Sequence, residues 1–206
     1  MTDHLVRTLE ELREVIPASE SARLKLGDAL DEQARDFVAV CPFVVLSTAD
    51  ADGRVESSPK GDDPGFVLVE DDRTLVIPDR TGNTLAFGLL NLLENPHVGL
   101  LFVIPGTTET LRVNGRAEIS KDPELLERLA ARGKPAVLAI RVHVESAFFH
   151  CAKAFLRSKL WKQETWPEKR KISFGRIAAP KLGSEGDEAL IATIDEMVDE
   201  DYRVNL

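Results

Sequence analysis

The pattern of apolar and polar positions changes twice along the chain, which predicts a helical start, a strand-rich middle and a helical end. Residues 8–16 have apolar positions at helical spacing, and Pro17 ends that helix. A second helix is predicted to start near Asp28, with one apolar face formed by Leu30, Ala34, Phe37 and Val38. We expect residues 1–40 to form a helical lead-in that packs on the following core.

Residues 41–162 are predicted to form this core, because short apolar runs rich in β-branched residues are separated there by tight turns. Seven strands are predicted, at residues 43–46, 55–58, 66–69, 74–77, 98–104, 110–119 and 136–150, with helices at 84–93 and 123–131. Short strands joined by tight turns pair antiparallel, and seven in one domain favour a closed or nearly closed barrel. Strands and helices do not alternate as a doubly wound fold requires.

The strand at residues 110–119 is expected to have one polar face. Leu111, Val113 and Ala117 alternate along it with Arg112, Asn114 and Arg116. Gly115 is expected to bulge the register. One side of the sheet is therefore polar and available to a ligand.

Residues 163–206 form a C-terminal extension. By composition residues 180–186 are a linker, and residues 187–201 are expected to form an acidic amphipathic helix. Its inward residues are predicted to be Leu190, Ile191, Ile194, Met197 and Val198. An isolated helix of this kind is marginal in water, so it must pack either within the chain or on a dimer partner.

Composition narrows the classes of function. Lys and Arg number 26 against 35 Asp and Glu, so the net charge of −9 argues against non-specific nucleic-acid binding, and any basic site must be a local pocket. No signal-peptide core and no apolar run long enough for a membrane span are present, so we expect a cytoplasmic protein without a membrane partner. Cys41 and Cys151 lack metal or disulfide spacing, and both are expected to be reduced, buried and inert.

Motif searches exclude several kinds of chemistry. The chain has no P-loop, no dinucleotide-binding glycine motif and no nucleophile elbow. The four histidines do not cluster with each other or with cysteine, so no metal site is expected. No nucleophile and base can be paired either, which points toward chemistry performed by a cofactor.

Residues 79–83 are the strongest candidate for holding a cofactor phosphate. Asp79, Arg80, Gly82 and Asn83 lie between an apolar strand and the predicted helix at 84–93. The first turn of a helix offers unpaired N–H groups, and Arg80 adds a permanent cation. The alternative is an ordinary turn, with Gly82 at positive φ and Asn83 or Thr84 as the helix cap.

Several motifs together resemble the FMN-binding split β-barrel family related to pyridoxamine phosphate oxidase. They are Pro42-Phe43-Val44-Val45-Leu46-Ser47-Thr48 with the Asp52-Gly53 turn, Ser57-Ser58-Pro59-Lys60-Gly61-Asp62, Leu75-Val76-Ile77-Pro78-Asp79-Arg80 with Gly82-Asn83, the segment Asn91 to Phe102, and Leu111-Arg112-Val113-Asn114-Gly115-Arg116-Ala117. The resemblance implies a mainly β protein with some α structure, in which an antiparallel, Greek-key-like split barrel is flanked by helices. It also implies a homodimer with FMN in a cleft at the subunit interface.

The resemblance further implies roles for particular residues. The phosphate and ribityl chain would be held by polar residues of the second strand and of the turn after the fourth, and the ring would meet the end of the fourth strand. The residues so assigned are Ser57, Ser58, Lys60, Asp79, Arg80 and Asn83 for the tail and Ile77 and Pro78 for the ring. Arg112 would stabilise the pyrimidine side of the reduced flavin. Arg157, Ser158 and Trp161 would reach the site of the partner subunit.

Three functional hypotheses follow. The first is a cytoplasmic FMN-dependent oxidoreductase acting on a small organic substrate. The second is a non-catalytic protein that binds flavin, haem or deazaflavin on the same barrel, because no basic residue follows Asn83 in Thr84-Leu85-Ala86-Phe87. The third is an interaction protein whose acidic C-terminal helix docks a partner. The substrate-binding element of true pyridoxamine phosphate oxidases is not visible in residues 171–206.

Overall fold

The computed structural model, which describes residues 4–82 and 84–205, contains the seven predicted strands. They are β1 (Phe43–Ala49), β2 (Val55–Gly61), β3 (Leu68–Asp71), β4 (Thr74–Asp79), β5 (His97–Phe102), β6 (Thr110–Ser120) and β7 (Leu138–His150). Five of them, β1, β2, β3, β4 and β6, end later than predicted. As a result, Lys60 and Asp79 are strand residues and do not belong to the flanking turns.

The strands form one antiparallel sheet in the order β2-β1-β5-β6-β7-β4-β3. The predicted bulge is confirmed, since the β6–β7 register shifts between Asn114 and Gly115. A side chain at position 115 would place its Cβ 2.1 Å from the carbonyl oxygen of His143, so the bulge requires glycine. The alternation along β6 is also as predicted, because Val113 and Ala117 are buried while Arg112 and Arg116 are exposed.

The concave face of the sheet holds the main hydrophobic core. Alternate residues of the central strands point inward, among them Leu46, Leu100, Val113, Val142 and Phe102. The helix predicted to start near Asp28 begins at Glu32. Its residues Ala34 and Val38, together with Leu30 just before it, close one side of this core, and all three are nearly inaccessible to solvent. A smaller cluster covers the outer side of β4 and consists of Val76, Leu125, Leu129, Ala136 and Ala139.

Ion pairs join β2 to the far side of the sheet, although β2 and β4 are not neighbours in it. Lys60 Nζ on β2 pairs with the carboxylate of Asp79 at the end of β4. Arg132 pairs with Asp62, just after β2, at 2.8 Å. We call this line, where β2 meets the end of β4 and the loop at Arg132, the seam. The ion pairs at the seam bridge parts of the sheet that are not hydrogen-bonded neighbours, as expected for a nearly closed barrel.

Helices lie between and beyond the strands. They are α1 (Leu9–Val15), α2 (Glu20–Arg23), α3 (Glu32–Ala39), α4 (Phe87–Glu94), α5 (Pro123–Arg128), α6 (Lys153–Ser158), α7 (Phe174–Ala178) and α8 (Glu188–Val204). α1 buries none of its residues. No helix within the described ranges is long and apolar enough to cross a membrane.

The predicted start of the helix at residue 84 is wrong. Helix α4 begins at Phe87, after Ala86, which has φ 49° and provides no side-chain cap. The backbone N–H of Thr84 is already bonded to the carbonyl of Gly82 at 3.0 Å, so Thr84 lies in a tight turn. The unpaired N–H groups of the helix therefore belong to residues beyond 86, and the helix-terminus argument for residues 79–83 does not hold.

The described residues divide into two compact units. The first contains those of Met1–Asp79 and Leu85–Trp161, and the second those of Arg80–Thr84 and Lys162–Leu206. In the second, α7 and α8 pack so closely that a Cβ on Gly175 would be 2.3 Å from the carbonyl oxygen of Ile191. The acidic helix forms as predicted, but the inward placement of Met197 is wrong, because that side chain is 67% exposed.

Candidate functional site

A pocket of about 540 Å³ lies in the first unit, on the outer face of the sheet beside α6. Its size is within the range of small-molecule sites. Strands β1, β5, β6 and β7 and helix α6 supply its lining, which consists of Ser47, Gly99, Leu100, Leu101, Thr110, Arg112, Asn114, His150, Ala154 and Phe155. We call it the outer pocket.

A row of short side chains runs straight across five strands, and its three middle residues, Ser47, Gly99 and Asn114, line this pocket. Direct pairing places Ser57 beside Ser47, Ser47 beside Gly99, Gly99 beside Asn114, and Asn114 beside Ser146. We call these five residues the polar row. The Ser47 and Ser57 hydroxyls are 3.4 Å apart, and the Asn114 amide nitrogen donates to Ser146 Oγ at 3.1 Å. Paired residues share a face of the sheet, so the row is continuous.

Arg112 gives the outer pocket its charge. Its guanidinium carbon lies 5.2 Å from the centre of the Phe148 ring, which is cation–π geometry. Among the described residues that line the pocket, His150 is the other basic group and none is a carboxylate. In a chain with a net charge of −9, the lining of this pocket is locally basic, which suits an anionic or electron-rich ligand group.

The segment after β7 forms one wall of the pocket. Phe155 of α6 stacks on Trp161, with ring centroids 5.6 Å apart. Trp161 in turn donates from its indole nitrogen to the carbonyl of Thr107 at 2.7 Å, which fixes the segment to the loop before β6. Trp161 thus supports a pocket residue within its own chain. Its predicted contact with a partner subunit remains a prediction.

The three predicted residues of β2 lie on opposite faces of the strand. Ser57 is exposed on the outer face and belongs to the polar row. Ser58 and Lys60 pair with Leu46 and Val44, two buried core residues, so both point toward the inside of the barrel. Lys60 is only 9% exposed, and its ammonium is engaged by Asp79.

The predicted residues of β4 are buried in this chain. Ile77 is fully inaccessible in the main core, and Pro78 is buried as well. The cause is that core residues cover one face of β4 and the α5 cluster covers the other. The predicted contact of these two residues with a ring, through backbone groups and an apolar wall, stays a prediction. The Asp79 side chain is 6% exposed and serves as the partner of Lys60.

The turn after β4 belongs to the second unit. Arg80 is half-buried there, and Gly82 has φ 100°, as the turn prediction required. Asn83 lies outside the described residues. A phosphate-binding role for Arg80 and Asn83 therefore stays a prediction.

Arg157 and Ser158 are exposed on α6 and do not line the outer pocket. The Ser158 hydroxyl donates to the carbonyl of Phe155 at 3.2 Å. Their predicted contribution to a partner subunit also stays a prediction.

Several residues of the pocket were not identified from the sequence as site residues, namely Ser47, Gly99, Thr110, Asn114, His150 and Phe155, and neither was Ser146, which lies beside Asn114. Asn114 was recognised only as part of a polar face. Because these residues come from separate strands and share no local motif, only the strand register brings them together.

The two cysteines differ in their surroundings. Burial raises the pKa of the Cys41 thiol, which donates to the carbonyls of Phe43 and Val103. Cys151 is exposed, so the prediction that it is buried is wrong. It directly follows β7, at the point where the chain leaves the sheet. Within the described residues, no three His, Cys, Asp or Glu side chains are grouped closely enough to hold a metal ion.

The chain is similar to several known proteins. A family profile for pyridoxamine 5'-phosphate oxidase matches residues 30–151. HupZ from Group A Streptococcus is 22% identical, with a TM-score of 0.48 over 58% of this chain and 93% of that chain. A candidate pyridoxamine 5'-phosphate oxidase from Lactobacillus delbrueckii is 25% identical, with a TM-score of 0.46 over 59% and 95%. An FMN-binding protein from Syntrophomonas wolfei is 14% identical, with a TM-score of 0.46 over 69% and 97%. No curated protein matches the chain significantly.

The seven-stranded antiparallel sheet with its flanking helices is a split β-barrel, as the sequence predicted. Because the family profile spans more than half of the chain, the protein belongs to the pyridoxamine 5'-phosphate oxidase family.

Proposed function

We propose that this protein is an FMN-dependent oxidoreductase that passes electrons between a reductant and a small organic substrate. The observation that carries the proposal is the outer pocket, where Arg112 stands among hydroxyl and amide groups without any carboxylate in the lining. A reduced flavin gains from a cation near its pyrimidine edge, and its ring carries polar atoms that these groups can bind. Family membership supports the same choice of cofactor.

The residues of the pocket would hold the ring, orient it and exclude water, and FMN would supply the redox chemistry. Leu101 and Phe155 give the pocket apolar walls, and the middle of the polar row gives it the hydrogen-bonding groups of Ser47 and Asn114. This donor set fits a flavin ring. For the phosphate we propose Arg80 and Asn83, and for the partner's site Arg157 and Ser158, as the sequence resemblance implies.

We further propose that the protein acts as a homodimer. Phe87, Leu90 and Leu93 recur on one face of α4 and are all largely exposed, which leaves an apolar strip that a second copy would cover. Analytical ultracentrifugation tests this point. A monomer at micromolar concentration would contradict it.

The decisive experiment is spectroscopic. Protein purified without added cofactor should either be yellow or take up FMN, with quenching of flavin fluorescence, and the bound flavin should be reduced by NAD(P)H or dithionite and reoxidised by a quinone. Protein that takes up no FMN would refute the proposed function. Uptake without turnover would favour binding alone.

One observation favours a second candidate function, in which the protein binds a planar ligand without a phosphate group and catalyses no reaction. Lys60, predicted to hold the phosphate, is engaged by Asp79 inside the barrel, and the residues after Asn83 contribute no cation. Comparing FMN with riboflavin separates the two candidates. Phosphate recognition should make FMN bind about tenfold more tightly or better, given the strength of charge-assisted contacts, and Arg80→Ala should abolish that preference. Equal affinities would favour the second candidate.

A further inference from the structure

Gly99 lies at the centre of the polar row and lines the outer pocket. It belongs to β5, a central strand with a neighbour on each side. Glycine weakens a central strand, because it has the greatest conformational freedom to lose and no side chain to pack. A glycine here therefore needs a reason.

Neither the backbone conformation at Gly99 nor the atoms around it require a glycine. The φ angle of Gly99 is not in the left-handed region, so its backbone suits any residue. A Cβ at this position would lie 3.5 Å from Asn114 Oδ1 and 3.9 Å from Ser47 Cβ, which are ordinary contacts. Gly115 on the next strand is different, because a Cβ there would collide with the backbone. The fold has room for alanine at 99, and the added methyl group would stand beside Asn114 and Ser47, two residues that line the pocket.

The neighbours of Gly99 form a shallow trough. The polar row has short side chains, while the adjacent row on the same face, about 6.8 Å away along the strands, carries the larger Leu101, Arg112 and Phe148. Strands are spaced about 4.8 Å apart, so the row extends far enough to support a fused ring system. A planar ring can therefore lie face down on the backbone at Gly99.

The polar groups around the trough indicate which ring edge would be recognised. Because the Asn114 amide nitrogen donates to Ser146, its amide oxygen faces Gly99 as an acceptor. Arg112, two residues away on the same face, presents donors. An acceptor beside a cationic donor matches an imide edge, which carries an N–H between two carbonyl groups. The pyrimidine end of a flavin has this edge.

We propose that the flavin ring lies with its face on Gly99 and its imide edge toward Asn114 and Arg112. This inference rests on the proposed function, since it assigns the position of the same cofactor.

Gly99→Ala tests the proposal, with Gly88→Ala as the matched control. A Cβ at Gly88 would meet only Thr48 Oγ1 at 3.6 Å, and that glycine lies in α4 and does not line the pocket. Both variants should keep or raise the melting temperature. We expect the dissociation constant for FMN, from fluorescence quenching, to rise about tenfold or more in Gly99→Ala, as intrusion into a packed contact requires, and to stay unchanged in Gly88→Ala.

A ligand series gives a second measurement. FMN methylated at N3 loses the imide N–H and should bind the unaltered protein more weakly than FMN, and the two flavins should bind Asn114→Leu with similar affinity. If Gly99→Ala binds FMN as the unaltered protein does, or if N3-methylation has no effect on binding, the inference fails while the proposed function stands. If the unaltered protein takes up no FMN, both fail.

Discussion

Removing either partner of the Lys60–Asp79 ion pair should destabilise the barrel far more than removing a surface charge. The two side chains are 9% and 6% exposed, so Asp79→Ala leaves an ammonium group without its carboxylate in the interior, and Lys60→Met leaves the converse. Loss of one member of a buried pair costs about 3–5 kcal/mol of unfolding free energy. Arg54→Met is the control, because Arg54 is 76% exposed in its pairs with Asp50 and Asp52, and such pairs contribute about 0–1 kcal/mol.

The double variant Lys60→Met with Asp79→Val sharpens this test. It leaves no buried charge, so it should recover most of the stability lost in the single variants, as replacement of buried pairs by apolar residues often does. The assay is urea unfolding followed by far-UV circular dichroism, with no flavin added, so that cofactor binding does not enter the comparison. The expected order of unfolding midpoints is unaltered protein and Arg54→Met highest, the double variant next, and the single variants lowest.

The family resemblance assigned Lys60 to the cofactor phosphate, so the same variants decide between two roles. If both single variants unfold within about 0.5 kcal/mol of the unaltered protein, which is the range of neutral surface changes, the ion pair does not hold the seam. If Lys60→Met then also weakens binding of FMN but not of riboflavin, the lysine serves the phosphate and the structural reasoning is refuted.

Three other predictions concern single residues. In native protein one thiol per chain, Cys151, should react rapidly with Ellman's reagent, because burial raises the pKa of Cys41 and keeps it protonated; two should react in urea, and rapid reaction of both in native protein would contradict the burial. Gly115→Ala should lower the unfolding free energy by more than about 2 kcal/mol in urea titrations, since its Cβ would lie 2.1 Å from a backbone oxygen; a midpoint near that of the unaltered protein would contradict it. A hydrogen bond from a backbone N–H of α7 lowers the pKa of Asp195. The stability that the ionised carboxylate contributes is therefore present above its ordinary pKa of about 4 and is lost as pH falls through the pKa of the folded state. Asp195→Ala should be less stable than the unaltered protein at pH 7, and the difference in urea midpoints should narrow by pH 3.

The strands could be predicted because each follows from its own residues. A strand's side chains alternate with a period of two, so the buried Val113 and Ala117 and the exposed Arg112 and Arg116 were assigned to the correct faces without knowledge of the neighbouring strands. The bulge at Gly115 was also a local signal. The seven-stranded antiparallel barrel followed from these strands and their short turns.

Predictions from the sequence were wrong where residues far away in the chain determine the local structure. Met197 matches the apolar spacing of α8, but the contact of α7 reaches that helix around Ile191 and leaves Met197 exposed. Thr84 has the side chain of a good helix cap, yet the helix begins only at Phe87, after Ala86 in the left-handed region, so Thr84 is not at the cap position. In both cases the local preference was real, and an interaction that the local pattern does not specify overrode it.

The role of Lys60 shows why motif reasoning on its own reaches a limit. A lysine in a polar strand is consistent with a phosphate ligand, and that role stays a prediction, but the structure adds two facts that the motif does not contain. The first is that Lys60 pairs with Val44, which turns its side chain inward, and the second is that Asp79 ends β4 across the seam. The polar row shows the same limit of motif reasoning. Its five residues belong to five strands and share no motif, and only the strand register brings them together. Gly99 is the informative member, because its lack of a side chain weakens the strand and neither its backbone angle nor its neighbours require it. A position that lowers stability without a structural reason is where a ligand contact should be sought first.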